Sequence, residues 1–461
     1  MVVRPNKDGA MPAVKQCLRS SVIGLTAALF VACGDAPSPQ ALPTTLTAEV
    51  VIHCGALIDG ISDKPLIDQV ILVDQARIRS VVSADQLGVS ATEERAHIDL
   101  REFTCLPGLI NTHVHFDGNP EDSVDYSIYA RRTAAENLAL VLANAKTTLL
   151  TGFTTVRHVG AWFPNAVYQA RDKIRAGEAI GPRILTAGPY LTIPGGGGDL
   201  TFPEIPVDQI PPESQLGIAS TSQQFAQRAE AAIAGGADFL KVIASGAVFS
   251  LGTDPGAPEM SQADIAAVVK VAKQYDKQVT AHVHSDQSGR DAILAGVDSL
   301  EHASLLDDAT IALAHQRGVA LSMDIYNGTY TDTIGRSQGY PEIFLQRNTQ
   351  TTEAQRAVFK KAYAAGVTLL YGTDAAVLPH TMGGWQFATM IEHGMTPMEA
   401  IRSATSVAAD HLRIDADVGA VIPGRQADII AVKVDPLTDP LSLRDVDVVI
   451  QAGIVVKQPP L

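Results

Sequence analysis

The feature that most constrains the fold is a regular alternation of short apolar segments with longer, helix-length segments in the central part of the chain. The short segments have strand length and are rich in Val, Ile and Leu, whereas those between them contain runs rich in Ala and Leu. Eight strand-like segments occur in order, at residues 109–115, 153–157, 183–187, 239–243, 278–282, 298–302, 319–323 and 367–371.

An alternation of this kind favours a parallel sheet whose strands are joined by crossover helices. Eight strand–helix units are the number found in a TIM barrel, so we predict an α/β fold with a (β/α)8 barrel over residues 106–419. A doubly wound open sheet is the alternative fold that the same alternation allows.

Both ends of the chain outside this region carry β-type segments without helical segments between them. Short apolar runs separated by turns occur from Ala48 to Val82 and again from Asp428 to Lys457. We predict that residues 48–105 and 420–457 together build one small β-sandwich domain. The ends of a compact domain commonly lie close together, which permits a composite domain of this kind.

The first residues are typical of an export signal and not of a folded domain. Lys15 and Arg19 precede an apolar run, residues 22–32, that is too short for a typical membrane span. The run ends directly before Cys33, in a context that resembles the cleavage site of bacterial lipoproteins, although Phe30 stands where leucine is usual.

These features predict a signal peptide over residues 1–33 and a linker over residues 34–47. The protein would be exported from a bacterial cell, and would be periplasmic or anchored to the membrane through a lipidated Cys33. Ordinary secretory cleavage nearby is the alternative. Because Met11 lies just before the basic residues, translation starts either there or at Met1.

Charge and cysteine content narrow the functional class. The formal net charge of −15 at pH 7 argues against nucleic-acid binding, which needs a positive surface. The four cysteines form no disulfide framework and no Cys-rich zinc site. If Cys17 and Cys33 are removed or lipidated, Cys54 and Cys105 remain. An oxidising compartment would permit a bond between them without requiring one.

Two histidines stand at the end of the first predicted strand. The strand follows a Pro107-Gly108 turn, and its side chains alternate between two faces, so His113 and His115 project to the same side. Two imidazoles on one face can bind a divalent cation. Taken alone, the pair is equally compatible with two histidines on a polar strand face.

Further candidate ligands lie at the ends of other predicted strands. Lys241 is in the fourth strand, His282 in the fifth and His302 in the sixth, and Asp374 directly follows the eighth. In a TIM barrel the functional groups gather at the C-terminal ends of the strands, so these side chains would converge. Imidazole and carboxylate ligands suit zinc and similar cations.

Lys241 is unusual because it lies within an apolar strand, between Leu240 and Val242. A buried ammonium is costly unless it is paired or loses its charge. Two explanations remain open. The lysine forms a salt bridge with a carboxylate, or a neutral lysine adds carbon dioxide and becomes an anionic carbamate whose two oxygens bridge two metal ions.

Together these motifs resemble those of the amidohydrolase superfamily, in its binuclear-metal branch with a carboxylated lysine. Within it, the closest likeness is to the imidazolonepropionase-like group of prolidases, Xaa-Arg dipeptidases and ochratoxin-hydrolysing amidases. The resemblance extends from about residue 48 to residue 457. It is carried by residues 107–115 with His113-Val114-His115, residues 236–241, Ala281-His282-Val283-His284, Glu301-His302, Gly372-Thr373-Asp374 and residues 423–429.

The resemblance implies a role for each candidate ligand around two divalent metal ions, for which zinc is expected. The first metal would be bound by His113, His115 and Asp374, and the second by His282 and His302. Lys241, as a carbamate, would bridge the two metals. A hydroxide shared by both metals would be the nucleophile. Asp374 would take the proton of this hydroxide and give it to the leaving amine.

Three further residues are candidates for substrate binding. His284 shares a strand face with His282, Tyr326 follows the seventh strand and His380 follows the eighth. Each could bind a substrate carboxylate or stabilise an oxyanion, although His284 is equally well explained as a core residue. We therefore expect good substrates to carry a free carboxylate on the amine side of the scissile bond.

Two positions depart from the pattern of the family that the chain resembles. Members of this family often have histidine where Gly197 stands and aspartate where His158 stands. The segment 194–198, which contains Gly197, is glycine-rich but lacks the Lys-Ser/Thr ending of a phosphate-binding loop, and we predict a mobile lid there. These departures leave the metal site intact and bear on the substrate preference.

The predicted function is metal-dependent hydrolysis of amide bonds in peptides or N-acyl amino acids, with ochratoxin-like amides among the candidates. Hydrolysis of a cyclic amide or lactone is the alternative within enzymes. A surface-anchored binding protein that kept the barrel and lost catalysis is an alternative of another class, against which the complete set of six ligands argues. The resemblance also implies a homo-oligomer, of which an octamer is one form.

Overall fold

The structure, a computed structural model, describes residues 49–86, 96–200 and 206–458. These residues belong to one compact unit that extends from Thr45 to Leu461. The predicted signal peptide, the linker, Cys33 and both candidate start methionines lie outside the described residues. No helix in the described part of the chain is long and apolar enough to cross a membrane.

The two ends of the chain meet in one sheet. Its strands are β1 (Val50–Leu57), β2 (Leu66–Asp74), β3 (Arg77–Ser83), β4 (Ala96–Pro107), β13 (Ile429–Val432), β14 (Val448–Gln451) and β15 (Ile454–Lys457). The seven strands hydrogen-bond in the order β15-β14-β13-β4-β1-β2-β3. Strand β4 pairs in parallel with β1 and antiparallel with β13, so it joins the N-terminal and C-terminal parts. A division of this sheet into the two layers of a sandwich stays a prediction.

A disulfide bond links Cys54 in β1 to Cys105 in β4, across neighbouring strands. Both cysteines are fully buried in an apolar cluster that also contains Ile71 and Ile429. The sequence left this bond open, and the structure forms it. Because it closes a loop with a sequence separation of 51 residues, the chain-entropy model assigns it about 4 kcal/mol of stability through restriction of the unfolded chain.

The central strands are all parallel. They are β5 (Leu109–Val114), β6 (Phe153–His158), β7 (Arg183–Thr186), β8 (Leu240–Ile243), β9 (Val279–Val283), β10 (Ser299–His302), β11 (Ala320–Met323) and β12 (Leu369–Tyr371). They form the sheets β5-β6-β7 and β12-β11-β10-β9-β8. Isolated parallel bridges, Val114 with Ala375 and Leu191 with Val242, connect the two sheets at their edges. The result is a TIM-barrel-like α/β fold, in agreement with the alternation in the sequence.

Helices follow the central strands and are delimited by local sequence signals. They are α1 (Ser127–Arg131), α2 (Ala134–Leu150), α3 (Pro164–Arg175), α4 (Ser222–Ala234), α5 (Gln262–Gln274), α6 (Asp286–Ala295), α7 (Asp308–Arg317), α8 (Asn327–Gln338), α9 (Glu342–Ala364), α10 (Gln386–Glu392), α11 (Pro397–Ser403) and α12 (Ser406–His411). Helix α2 begins with a capping box of Thr133 and Glu136. Helix α6 ends at Gly296, whose φ of 92° suits a residue without a Cβ atom.

The parallel strands are buried on both faces, and every residue of β5 and β6 is buried. One face packs against the helices through apolar side chains, whereas the other carries polar residues such as Thr112, Arg157 and Ser322 into the interior. Close strand approach needs a small residue at Gly372, where a Cβ atom would lie 2.3 Å from Ser322 Oγ. The eighth strand therefore brings the residues after it against the first strand.

Candidate metal centre

A cavity opens at the C-terminal ends of the parallel strands and contains all the predicted metal ligands. Its volume is about 1070 Å³, which includes the space at its mouth. The predicted ligands that line it are His113, His115, Lys241, His282, His302 and Asp374. Five separate strands supply them, so the parallel arrangement, and not local sequence, brings them together.

The first ligand group is formed by the end of β5 and by Asp374, three residues after β12. The Nε2 atoms of His113 and His115 lie 3.2 Å and 3.4 Å from the same Asp374 carboxylate oxygen, Oδ1. Two imidazole nitrogens and one carboxylate oxygen that point at one spot are a suitable donor set for a divalent cation. These three residues are the ones that the sequence assigned to the first metal.

The second ligand group lies beside the first. The rings of His282 and His302 are 4.5 Å apart between centroids, and the ring of His284 lies within 4.9 Å of both. Ligand atoms of these three histidines lie within 4.8 Å of one another. His302 also lies 4.8 Å from His113 between ring centroids, so the two groups adjoin. His284, predicted as a substrate contact, is placed as closely as the predicted ligands.

Lys241 faces the same cavity with only 1% of its surface exposed. Burial lowers the pKa of its ammonium to about 8, although the carboxylate of Glu301 opposes this shift. Within the described part of the chain, no hydrogen bond or ion pair holds its Nζ atom. A buried amine that loses its proton easily and faces two ligand groups fits the chemistry of carbamate formation.

Glu301 is a buried carboxylate that the sequence analysis did not assign to the site. Its Oε2 atom accepts a hydrogen bond from His113 Nδ1 at 2.8 Å, and its Oε1 atom lies 2.5 Å from Arg157 Nη2. Burial opposes ionisation of Glu301, but Arg157 and His113 hold its pKa well below the usual range. The bond fixes a proton on His113 Nδ1 and leaves Nε2 free for a metal.

Asp324 plays the same part for the second group. Its Oδ1 atom lies 3.0 Å from His302 Nδ1 and accepts a hydrogen bond from Gln355 at 2.7 Å. Asn327 donates to Asp324 Oδ2 at 3.1 Å and also lies 3.4 Å from Asp374 Oδ2. A hydrogen-bond network thus orients predicted ligands of both groups through the atoms that would not bind a metal. Partners of this kind fix the ring position and tautomer of metal-binding histidines.

Most of the protonation states suit metal binding. Burial lowers the pKa of His115 to about 3, and it lowers the pKa of His282 well below the ordinary value. Burial opposes ionisation of Asp374, but His113 lowers the pKa of this carboxyl. Burial likewise opposes protonation of His113, but Asp374 and Glu301 raise its pKa, so a cation would displace a proton there. Neutral imidazoles and an ionised carboxylate are the forms that bind a metal. The residues present therefore fit the predicted cations.

Two of the ligands have strained backbones. His302 and Asp374 have φ angles of 64° and 54°, in the left-handed region that residues with a Cβ atom rarely adopt. Each such residue costs about 1–3 kcal/mol and persists only where the surroundings enforce it. Both stand at strand ends and aim their side chains at the cavity. The strain therefore marks the same positions that the motifs indicate.

The other candidate substrate contacts do not line this cavity. Tyr326 lies 5.9 Å from Trp385 between ring centroids and lines a separate surface depression with Arg444. His380 is buried, and its Nε2 donates to the carbonyl oxygen of Gly118 at 3.2 Å. The structure thus brings His284 to the cavity but does not bring Tyr326 or His380 to its lining.

Gly197 and His158, at which the resemblance implied other residues, are both close to the site. Gly197 lines the cavity, and a Cβ atom there would lie 3.1 Å from that of Ala247. His158 is fully buried, 5.7 Å from His115 between ring centroids, and accepts a hydrogen bond from the backbone of Phe116 at 2.8 Å. With Asp117 and His115 it forms a third compact group of potential ligand atoms.

The residues that sequence reasoning missed are those that act from behind the ligands. Asp324 stands directly after β11, as Asp374 stands three residues after β12, and a carboxylate at a strand end was a usable signal. Glu301 follows the apolar Leu300 in β10, so alternation turns it to the other, interior face. Its partner Arg157 comes from β6, and no spacing within the sequence indicates that the two meet.

Comparison with known proteins gives matches over most of the chain. The Amidohydrolase family model matches residues 104–456. Ochratoxinase of Aspergillus niger is 27% identical over 431 residues, which are 87% of this chain and 85% of that protein. A solved Xaa-Pro dipeptidase with bound methionine has 33% identity and a TM-score of 0.82, over 88% of this chain and 99% of that chain. The A. niger ochratoxinase structure, with 24% identity and a TM-score of 0.77 over 89% and 96%, shares the fold.

The support of His113 by Glu301 predicts the effect of Glu301→Gln. The amide cannot neutralise Arg157 and does not fix the same tautomer of His113, so metal affinity should fall roughly 10- to 100-fold. Competition with a chromophoric chelator measures the affinity, and circular dichroism checks the fold. Glu178→Gln, at an exposed glutamate paired with Lys173, is the matched control. A folded Glu301→Gln protein with wild-type metal affinity would show that His113 is oriented without this bond.

Proposed function

The chain belongs to the amidohydrolase family, and we propose that it hydrolyses amide bonds of peptides or N-acyl amino acids in a metal-dependent reaction. It is a hydrolase that acts on carbon–nitrogen bonds. The observation that carries the proposal is the convergence of two ligand groups and one buried lysine on a single cavity. The similarity to ochratoxinase supports ochratoxin-like amides as candidate substrates.

The first divalent cation would be held by His113, His115 and Asp374, and the second by His282 and His302. Lys241, as a carbamate formed with carbon dioxide, would bridge them. Imidazole and carboxylate donors make zinc the expected metal. When bound, two such cations supply Lewis acidity to the scissile carbonyl and lower the pKa of water.

Side chains of the cavity would carry out the proton transfers. Asp374 is ionised and retains 14% exposure of its side chain towards the cavity, so it can accept a proton from the attacking water. An amide differs from an ester because its departing amine must be protonated, and Asp374 can deliver the same proton to that nitrogen. Asn327, at 3.4 Å from Asp374 Oδ2, holds the carboxylate during this transfer.

We further propose that the protein is exported and anchored through Cys33. The basic residues, the short apolar run and the cysteine that follows it support this proposal. The disulfide between Cys54 and Cys105 supports it independently, because such bonds persist mainly in oxidising compartments.

Export predicts the N-terminus of the protein purified from its native host. Mass spectrometry should find a chain that begins at a lipid-modified Cys33, and Cys33→Ser should abolish the lipid modification. An intact Met1 or Met11 terminus in the native protein would contradict processing. A new terminus close to Cys33 without lipid would leave export in place and contradict the anchor.

The bridging role predicts the result of Lys241→Ala. Loss of a ligand shared by two metals should lower the metal content from about two to at most one per chain, with a roughly 100-fold or greater loss of amide hydrolysis. Elemental analysis measures the first effect and a panel of dipeptides and N-acyl amino acids the second. Short-chain carboxylates should restore part of the rate. Lys173→Ala, at an exposed lysine, is the control, and full metal content in Lys241→Ala would contradict the bridge.

The proton-transfer role predicts a substrate-dependent effect of Asp374→Asn. General acid–base catalysis contributes about 10²–10⁴ in rate, so kcat/KM for an amide should fall by that factor. An activated ester with the same acyl group has a leaving group that needs no proton, so its kcat/KM should fall less. Metal content is measured in parallel. An equal loss on both substrates would limit Asp374 to metal binding.

A further inference from the structure

Five aromatic side chains cover one side of the cavity, and the metal centre does not account for them. We call them the aromatic wall: Tyr126, Tyr129, Trp162, Tyr190 and Phe249. They come from the segments that follow β5, β6, β7 and β8, which are four consecutive parallel strands, and Tyr129 lies in the short helix α1. The wall is therefore continuous along one half of the cavity mouth.

The wall is held in place by ring contacts and by hydrogen bonds of its polar ends. Trp162 lies edge-on to Tyr129 and Tyr190, with centroids 4.6 Å and 5.7 Å apart. Its indole N–H donates to the carbonyl oxygen of Gly198 at 2.9 Å, and Tyr126 Oη donates to the carbonyl oxygen of Phe249 at 3.0 Å. Because the polar ends are bonded to backbone, the ring surfaces remain available to a ligand.

One end of the wall touches the first ligand group. Tyr190 Oη lies 2.9 Å from His115 Nδ1, and Asp374 lies 3.4 Å from Nε2 of the same histidine. In the proposed function, on which this inference rests, Asp374 protonates the leaving amine. Because His115 lies between Asp374 and Tyr190, an amine portion at Asp374 is within reach of this end of the wall.

The polar group beside the wall already has partners in the protein. The carboxylate of Asp117 lines the cavity, and its Oδ2 accepts a hydrogen bond from the backbone N–H of Trp162 at 3.3 Å. Its other oxygen, Oδ1, lies 3.5 Å from His158 Nε2. The wall therefore offers a ligand mainly its ring surfaces.

We propose that the aromatic wall is a binding subsite for an aromatic group on the amine portion of the substrate. The favoured substrates are amides whose amine portion carries an aromatic ring, and Trp162 at the centre of the wall determines this preference. Offset or edge-to-face packing of a ligand ring against Trp162 and its neighbours provides the selectivity.

Four N-acetyl amides test the subsite in the metal-loaded enzyme. Their amine portions are phenethylamine, n-butylamine, L-phenylalanine and L-norleucine, which vary the ring and the carboxylate independently. We expect kcat/KM to be at least tenfold higher for the phenethylamide than for the butylamide, and for the phenylalanine derivative than for the norleucine derivative. An aliphatic member of either pair that is hydrolysed as fast as its aromatic counterpart would overturn the proposal.

Substitution of single residues in the wall tests whether they cause the preference for an aromatic amine portion. Trp162→Leu should lower kcat/KM for the phenethylamide about tenfold, mainly through KM, and leave the butylamide nearly unchanged. Tyr275→Leu, at an exposed tyrosine that does not line the cavity, is the matched control. Phe249→Leu should act in the same direction and replaces Trp162→Leu if that variant does not fold. Equal losses on both amides would overturn the assignment.

A binding measurement separates failure of the subsite from failure of the proposed function. The chain has two tryptophans, so Trp385→Phe leaves Trp162 as the sole tryptophan reporter in the wall. Phenethylamine should quench its fluorescence saturably and n-butylamine should not. Saturable quenching without hydrolysis of any amide would support the subsite and refute the proposed function. Hydrolysis without saturable quenching by phenethylamine would refute the subsite alone.

Discussion

A buried ion pair between Glu301 and Arg157 underlies the order of the whole site. Both side chains are almost completely buried, so each would be very costly without the other. Arg157 also donates to the backbone oxygen of Thr112 and to Ser299 Oγ, which ties β6 to β5 and β10. Since Glu301 in turn holds His113, the position of a metal ligand depends on a charge balance inside the strands.

The predicted metal ligands and the aromatic wall come from different parts of the chain. The predicted ligands stand in strands or a few residues after them, where two of them have strained backbones enforced by the surrounding fold. The aromatic wall stands on the segments that follow the strands, and such connections tolerate changes in sequence and length more readily than strands do. Under the proposed function, one set of ligands is therefore compatible with different substrates, and Gly197, which lines the cavity between β7 and β8, belongs to these connections.

The sequence predicted those features that depend on local periodicity. Alternation of strands and helices indicated the TIM-barrel-like arrangement, and the position of His113, His115 and Asp374 at strand ends brought them to one cavity. The sequence could not predict where the side chains of Tyr326 and His380 lie, because packing with distant segments sets the path of the chain after a strand. The pairing of Glu301 with Arg157 and the bond between the two cysteines depend likewise on which strands become neighbours.

The single sheet that both chain ends share has a consequence for the order in which the protein folds. Strand β4 leads directly into β5, which carries His113 and ends just before His115. One edge of β4 pairs with β1, and the other edge is covered by β13. This covering strand is synthesised only after the whole region that carries β5 to β12. Until it arrives, β4 presents unpaired backbone groups, as an exposed edge that can associate with other chains. A nascent chain, or one truncated before β13, therefore lacks support for the strand that leads to His113, and addition of β13 covers this edge.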